Sequence, residues 1–155
     1  MYKTIKLKKY VDIINEKVAA AAIVPGMIIE LIAAGTVQAH ATADGFTMPM
    51  VALEDELQGN GIDDAYAALD PVQCWSPVRG EEGYCILADG YSASIGDKLS
   101  SNGNGYLRTH TPTNESEYSD SVIAIALEAV DTSGSSGEES SLALGFARRI
   151  RVMFV

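Results

Sequence analysis

The chain has 155 residues, 47% of them hydrophobic, and a formal net charge of −10. That length and apolar content suit a single globular domain with a proper core and exclude a disordered chain. The charge argues against a general nucleic-acid binder, because holding phosphates needs a basic surface.

The charge is unevenly spread. Residues 1–20 carry Lys3, Lys6, Lys8, Lys9 and Lys17 against Asp12 and Glu16, and residues 141–155 carry Arg148, Arg149 and Arg151 with no acid. Two basic ends therefore flank a strongly acidic body. Such a charge keeps copies apart in solution, and the basic ends suit an acidic partner surface or the acidic body of a neighbouring copy. The most apolar run, residues 18–34, is interrupted by Pro25, Gly26 and Glu30, so no membrane-spanning helix and no membrane partner are expected. Asp12 and Glu16 stand where a secretory leader needs its apolar core, which points to synthesis in the cytoplasm.

Taken in order, residues 1–10 alternate lysine with apolar side chains: Ile5 and Leu7 oppose Lys6 and Lys8. That is strand periodicity. It fits an arm that adds to a sheet edge, in another subunit included, and it also fits an ordinary first strand. Tyr2, Lys3, Ile5, Lys6, Leu7, Lys8, Lys9 and Tyr10 are the candidate arm contacts. Residues 11–22, VDIINEKVAAAA, read as a connector with some helical tendency and no evident cap. The expected division is an arm and connector over residues 1–22 and a β domain over residues 23–155.

The stretch from Pro25 to Glu54 has an echo. PGMIIELIAAGTVQAH, a polar loop and MVALE are answered by IGDKLSSNGNGYLRTH, a longer polar loop and AIALE. A shift of 70 positions places Gly26 on Gly96, Gly35 on Gly105, Val37 on Leu107 and His40 on His110; after the loop the shift is 74, and Val51 to Glu54 fall on Ile125 to Glu128. Each copy reads as strand, Gly-containing turn, strand, loop and strand. Neither could bury its apolar face alone, so two related units packed together are expected. The fold class is thus all-β: a small β-barrel or sandwich (β-tulip-like) of two related units with an extended N-terminal arm outside.

Between the copies, Asn60-Gly61 signals a turn, and residues 63–69 read as one or two helical turns stopped by Pro71. Glu54, Asp55, Glu56, Asp63, Asp64 and Asp70 lack the ligand spacing of a calcium loop and read as solvated acid. Residues 72–88 read as a hairpin turning at Arg79 and Gly80, with Cys74 opposite Cys85, Val72 opposite Leu87 and Trp75 opposite Tyr84. Without a secretion signal, the two cysteines are expected as buried thiols. Residues 132–141, TSGSSGEESS, read as an exposed loop, and Ile150, Val152 and Phe154 alternate with Arg149, Arg151 and Met153 as a closing strand; Arg148, Arg149 and Arg151 are candidate contacts at this end.

No catalytic constellation stands out. His40 and His110 are the only histidines, and strand-end histidines outnumber sites. There is no nucleophile elbow, phosphate loop or metalloprotease motif. No enzyme, cofactor or metal is expected.

The arm together with PGMIIEL, GTVQAH, MVALEDELQGNGIDDAY, DPVQC, GEEGYCILADG, IGDKLSSNGNGYL and VIAIALEAVD resembles the head decoration, or cement, proteins of tailed bacteriophages. The resemblance spans about residues 5–131 and contains no catalytic signature. It implies a structural protein on the outside of the virion capsid. Its partners would be the major capsid protein and neighbouring copies of itself, as a homotrimer, and it would clamp capsomers of the expanded shell. The runner-up is a virion-surface module for a glycan or host receptor, which needs exposed aromatic side chains in a groove.

Overall fold

The computed structural model describes residues 3–8, 14–45, 48, 50–111, 121–134 and 149–155. Tyr2, Lys9, Tyr10 and Arg148, and residues 135–141 of the Ser/Gly/Glu loop, lie outside the described residues. Among the described residues the chain is all β, with one short 3-10 turn at Glu56–Gln58.

The first half carries β1 (Lys6–Lys8), β2 (Ile14–Val18), β3 (Ile29–Leu31), β4 (Val37–Ala39), β5 (Val51–Ala52) and β6 (Pro71–Trp75). The second carries β7 (Glu82–Ile86), β8 (Ser92–Ala93), β9 (Lys98–Ser101), β10 (Leu107–Thr109), β11 (Val122–Ala126), β12 (Val130–Asp131) and β13 (Arg149–Phe154). One sheet runs β1-β7-β13-β11-β9-β10; another runs β2-β6-β5, and the β3-β4 hairpin joins it through an Ile28–Val51 bridge.

The sequence echo is a structural duplication. In β3-β4, Ile29 pairs with Ala39 and Leu31 with Val37; in β9-β10, Leu99 pairs with Thr109 and Ser101 with Leu107. These are the same registers under the shift read from the sequence. The Gly26 N–H donates to the Ala52 carbonyl at 2.7 Å, and the Gly96 N–H to the Ala126 carbonyl at 2.9 Å. Both glycines have φ +92°, in the left-handed region that glycine enters without penalty.

The duplication also reaches further than the motif that betrays it. β6 lies between β2 and β5 as β13 lies between β7 and β11, with Cys74 opposite Ala52 as Val152 is opposite Ala126. Even the parallel bridge from Ala19 to Val37 recurs between Leu87 and Leu107. Each half therefore contains the same five-stranded unit; β1, added to the edge of the second, and the short β8-β12 pair are extra to it.

Two cores hold the units together, and each mixes both halves. One gathers Ile28, Val51 and Trp75 with Leu99, Ile150 and Phe154; the other gathers Ile23, Ile29 and Val72 with Ile86, Ala88 and Tyr106. Neither half could close a core without the other, which is why the apolar alternation occurs twice.

Four expectations are corrected. The connector is a strand at Ile14–Val18, because pairing with β6 from Ile14–Trp75 to Val18–Pro71 outweighs weak helical propensity without a cap. Residues 63–69 form turns and a bridge from Tyr66 to Ile23, with Leu69 at φ +75°, so the chain cannot run on as a helix there. Residues 72–88 are not a paired hairpin: β6 pairs with β2 and β5, and β7 with β1 and β13. The turn at Val78 to Glu81 is the junction between the two halves, and it hands the chain to a different sheet. Finally, the described part of the arm lies on the body. Lys6 and Lys8 pair with β7, and Ile5 is buried in the core.

The cysteines separate with their strands. Cys74 joins one core and Cys85 the other, and both are free and buried thiols, as expected. Trp75 stands edge-on to Phe154, with ring centroids 5.5 Å apart, rather than facing Tyr84.

Candidate functional site

The basic N-terminal strand is held by an acid from the first repeat. Both carboxylate oxygens of Glu54 lie 3.1 Å from the Ile5 N–H, which donates to them, and the Tyr84 N–H donates to the Ile5 carbonyl at 2.7 Å. Ile5 is fully buried and Leu7 packs against the same core, so the apolar positions of the alternation face inward. The lysines face the other way: Lys3 and Lys8 are exposed, and the Lys8 ammonium is 3.7 Å from a Glu82 oxygen.

Beside this strand lies an open groove of about 190 Å³ lined by Lys6, Ile14, Leu53, Glu54, Asp55, Glu56, Leu57 and Gln73. Its acids come from the stretch ALEDELQGN. Solvated acid is expected of this cluster, but Glu54 and Asp55 are buried, because β5 ends by turning Glu54 onto the N-terminal strand. Leu57, at the tip of the 3-10 turn, is 94% exposed.

The C-terminal arginines divide. Arg149 is buried within its own chain: it donates from Nη1 to the Pro25 carbonyl at 2.7 Å and from Nη2 to the Ile62 carbonyl, and it lies 3.8 Å from Asp63. Desolvation lowers its pKa, and Asp63 opposes that shift. Arg151 is half-buried and pairs with Glu82 through Nε at 3.1 Å and Nη2 at 2.5 Å. Glu82 thus links the two candidate regions, touching Lys8 on one side and Arg151 on the other. Nothing in the sequence signalled that Arg149 would be internal, since it alternates with apolar residues just as Arg151 does.

The duplicated histidines have become different residues. His40 is buried, with Nδ1 2.7 Å from the Ser101 hydroxyl and Nε2 3.8 Å from Glu30. His110 Nδ1 lies 3.8 Å from Asp44, which also pairs with Arg108 and accepts from the Ser100 hydroxyl at 2.5 Å. Ser101 is fully buried, so its hydroxyl is closed to a substrate. Among the described residues no group of three or more His, Cys, Asp or Glu side chains is placed to hold a metal.

Burial pushes the Cys74 thiol up to about 11 and the Cys85 thiol up to about 12. Neither is expected to react with a thiol reagent at pH 8 until the protein unfolds, and a thiol titration with and without denaturant checks this. The linkage has a sign. The unfolded thiols ionise first, so their contribution to stability is complete below about pH 8 and declines as pH rises through 9 towards 12. Replacing either cysteine by Ala should flatten that alkaline loss.

No family model matches the chain, and no characterised protein matches it by sequence. The fold is similar to the crystal structure of the head fiber gp8.5 N base in bacteriophage phi29, with a TM-score of 0.57 and 9% sequence identity, covering 94% of this chain and 95% of that one. The likeness is one of fold, and it runs through both duplicated units.

Proposed function

We propose that this chain is a structural protein of a tailed-bacteriophage head, seated on the outer surface of the capsid as a decoration or cement protein. The observation that carries the reading is the fold likeness to a phage head-fiber base across nearly the whole of both chains. The build of the molecule supports it: a two-unit β body, a basic strand at one edge, and His40 and Ser101 engaged with each other internally. Trp75 is fully buried, which weakens the glycan or receptor reading, since stacking on a sugar needs an exposed ring.

The proposed mechanism is thermodynamic. A protein that binds the expanded shell and not its precursor stabilises the expanded form by mass action, and many copies multiply the effect. The major capsid protein and neighbouring copies, as a homotrimer, are the proposed partners, with charge complementarity setting the register. No catalysis, cofactor, nucleic acid or membrane enters this role.

Purified protein mixed with expanded and unexpanded heads should co-sediment saturably with the expanded form alone and raise its melting temperature. Binding to neither particle sinks the reading. Deleting residues 1–10 would strip Ile5 from the core, so charge reversal is the cleaner probe of the basic strand. Lys3→Glu, at an exposed position of this strand, should lower occupancy about threefold at low salt and leave the unfolding temperature near that of the wild type. Undiminished occupancy would remove this strand from the mechanism.

A further inference from the structure

The duplication makes one comparison possible that no single sheet offers. β2 and β7 are equivalent strands: Glu16 opposes Gln73 as Tyr84 opposes Arg151. The outer edge of β7 is filled. Tyr84 donates its N–H to the Ile5 carbonyl at 2.7 Å and Ile86 donates to Gly26 at 3.3 Å, with β1 alongside. Among the described residues the outer edge of β2 is not filled. The sheet runs β2-β6-β5 and ends at β2, and among the described residues the N–H groups of Glu16 and Val18, which correspond to those of Tyr84 and Ile86, have no such acceptor. Ile14 and Val18 on this strand are 40% and 42% exposed. An exposed edge with unpaired N–H and C=O groups is a template for another strand.

We propose that the outer edge of β2, with the groove beside it, accepts an extended segment from a different protein in which lysine or arginine alternates with apolar residues. Three observations set that chemistry. The strand on the equivalent edge has it: Lys6, Leu7 and Lys8 cover β7. The groove at the end of β2 offers the exposed Glu56, with Asp55 behind it, to cations and Ile14 and Leu57 to apolar side chains; Lys6 and Glu54, the latter already accepting from the Ile5 N–H, complete its lining. Glu16 adds a further carboxylate on the strand itself. Main-chain pairing supplies affinity, and the alternating side chains supply selection.

A second copy is a poor donor on two grounds. Each chain has one N-terminal strand and two edges of this type, and its own β7 already holds that strand. Pairing β2 with β2 from another copy is the remaining route. The outward N–H groups belong to Ile14, Glu16 and Val18, so a centred antiparallel pair sets Glu16 against Glu16, a one-step slip towards the C-terminus sets Lys17 against Lys17, and the opposite slip, with Asn15 against Asn15, keeps only Ile14 to Glu16 of each strand in register. Like charges directly opposite each other destabilise a sheet. The site does not depend on the particle to which the chain is assigned, so it can stand or fall apart from the head-surface reading.

The probe is a synthetic peptide with the sequence YKTIKLKK, that of residues 2–9, added to the intact protein and followed by titration calorimetry. One-to-one binding that weakens with salt is expected, and a scrambled peptide of the same composition should bind at least about tenfold more weakly. The decisive variant is Glu16→Pro. Its missing N–H is the outward one, and proline is tolerated at an edge on that side, so β2 stays paired with β6. It should lower peptide affinity at least about tenfold with an unchanged unfolding temperature. Three results would overturn the proposal: no binding of the peptide, equal binding by the Glu16→Pro variant, or a concentration-dependent dimer of the wild type that Glu16→Pro abolishes. The last would make the occupant a second copy.

Discussion

Arg149→Ala is expected to lower the unfolding temperature by roughly 10 °C or more, a loss of about 3–5 kcal/mol. Arg149 belongs to the second unit, and the hydrogen-bond and ion-pair partners of its guanidinium belong to the first: the carbonyls of Pro25 and Ile62 and the carboxylate of Asp63. With only 2% of the residue exposed, the guanidinium meets those carbonyls away from bulk water. In Arg149→Ala both carbonyls lose their donors at once, and each unmade buried bond of this kind carries a desolvation penalty; Asp63 is exposed and loses only an ion pair. Arg149→Lys should recover little, because one ammonium cannot reach two divergent carbonyls as a planar fork does. Arg149→Met should cost less than Arg149→Ala, because it fills the space without burying a charge. Thermal and urea unfolding followed by circular dichroism measure all three. If Arg149→Ala stays within about 1 kcal/mol of wild type, the bridge does not hold the two units together.

Gly26→Ala is expected to destabilise the protein by at least about 2 kcal/mol more than Gly96→Ala. The two positions share φ +92° and the same backbone hydrogen bond, so the backbone penalty of about 1 kcal/mol for an L side chain is common to both. Their surroundings differ. A Cβ on Gly26 would meet Arg149 Nη1 at 2.5 Å and the Tyr84 carbonyl at 3.1 Å, whereas one on Gly96 meets nothing within 4 Å. Relief would require the guanidinium to move, which breaks the contacts discussed above. The double variant Gly26→Ala/Arg149→Met should therefore lose less than the sum of its parts. Equal costs at the two glycines would mean that Arg149 is free to shift, and the case for a rigid bridge would fail with it.

How far these features were legible in the chain depends on their range. The pairing of Gly26 with Gly96 and of His40 with His110 could be read because strand-turn-strand units are local, and left-handed glycines recur at fixed spacing when a unit is copied. The alternation of Ile5 and Leu7 with Lys6 and Lys8 marked a strand with one apolar face. It did not say which edge that strand would take, because period two names a face and no partner. The same limit undid the expected hairpin. Cys74, Trp75, Tyr84 and Cys85 alternate as paired strands would, yet the turn at Val78 to Glu81 separates two units instead of joining two neighbours. The ALEDELQGN acids were visible as a cluster, but only the meeting of β5 with the N-terminal strand takes Glu54 and Asp55 out of water.

By itself, then, the order of residues determined an all-β chain made of a repeated unit, with buried thiols and a basic first strand, because each of those rests on short-range periodicity and composition. The tertiary structure alone decided that β1 covers β7 rather than β2, that Arg149 points inward while Arg151 meets Glu82 near the surface, and that each core draws on both copies. Those outcomes are set by which faces meet when two incomplete units close on each other, and chain-local pattern carries no record of that meeting.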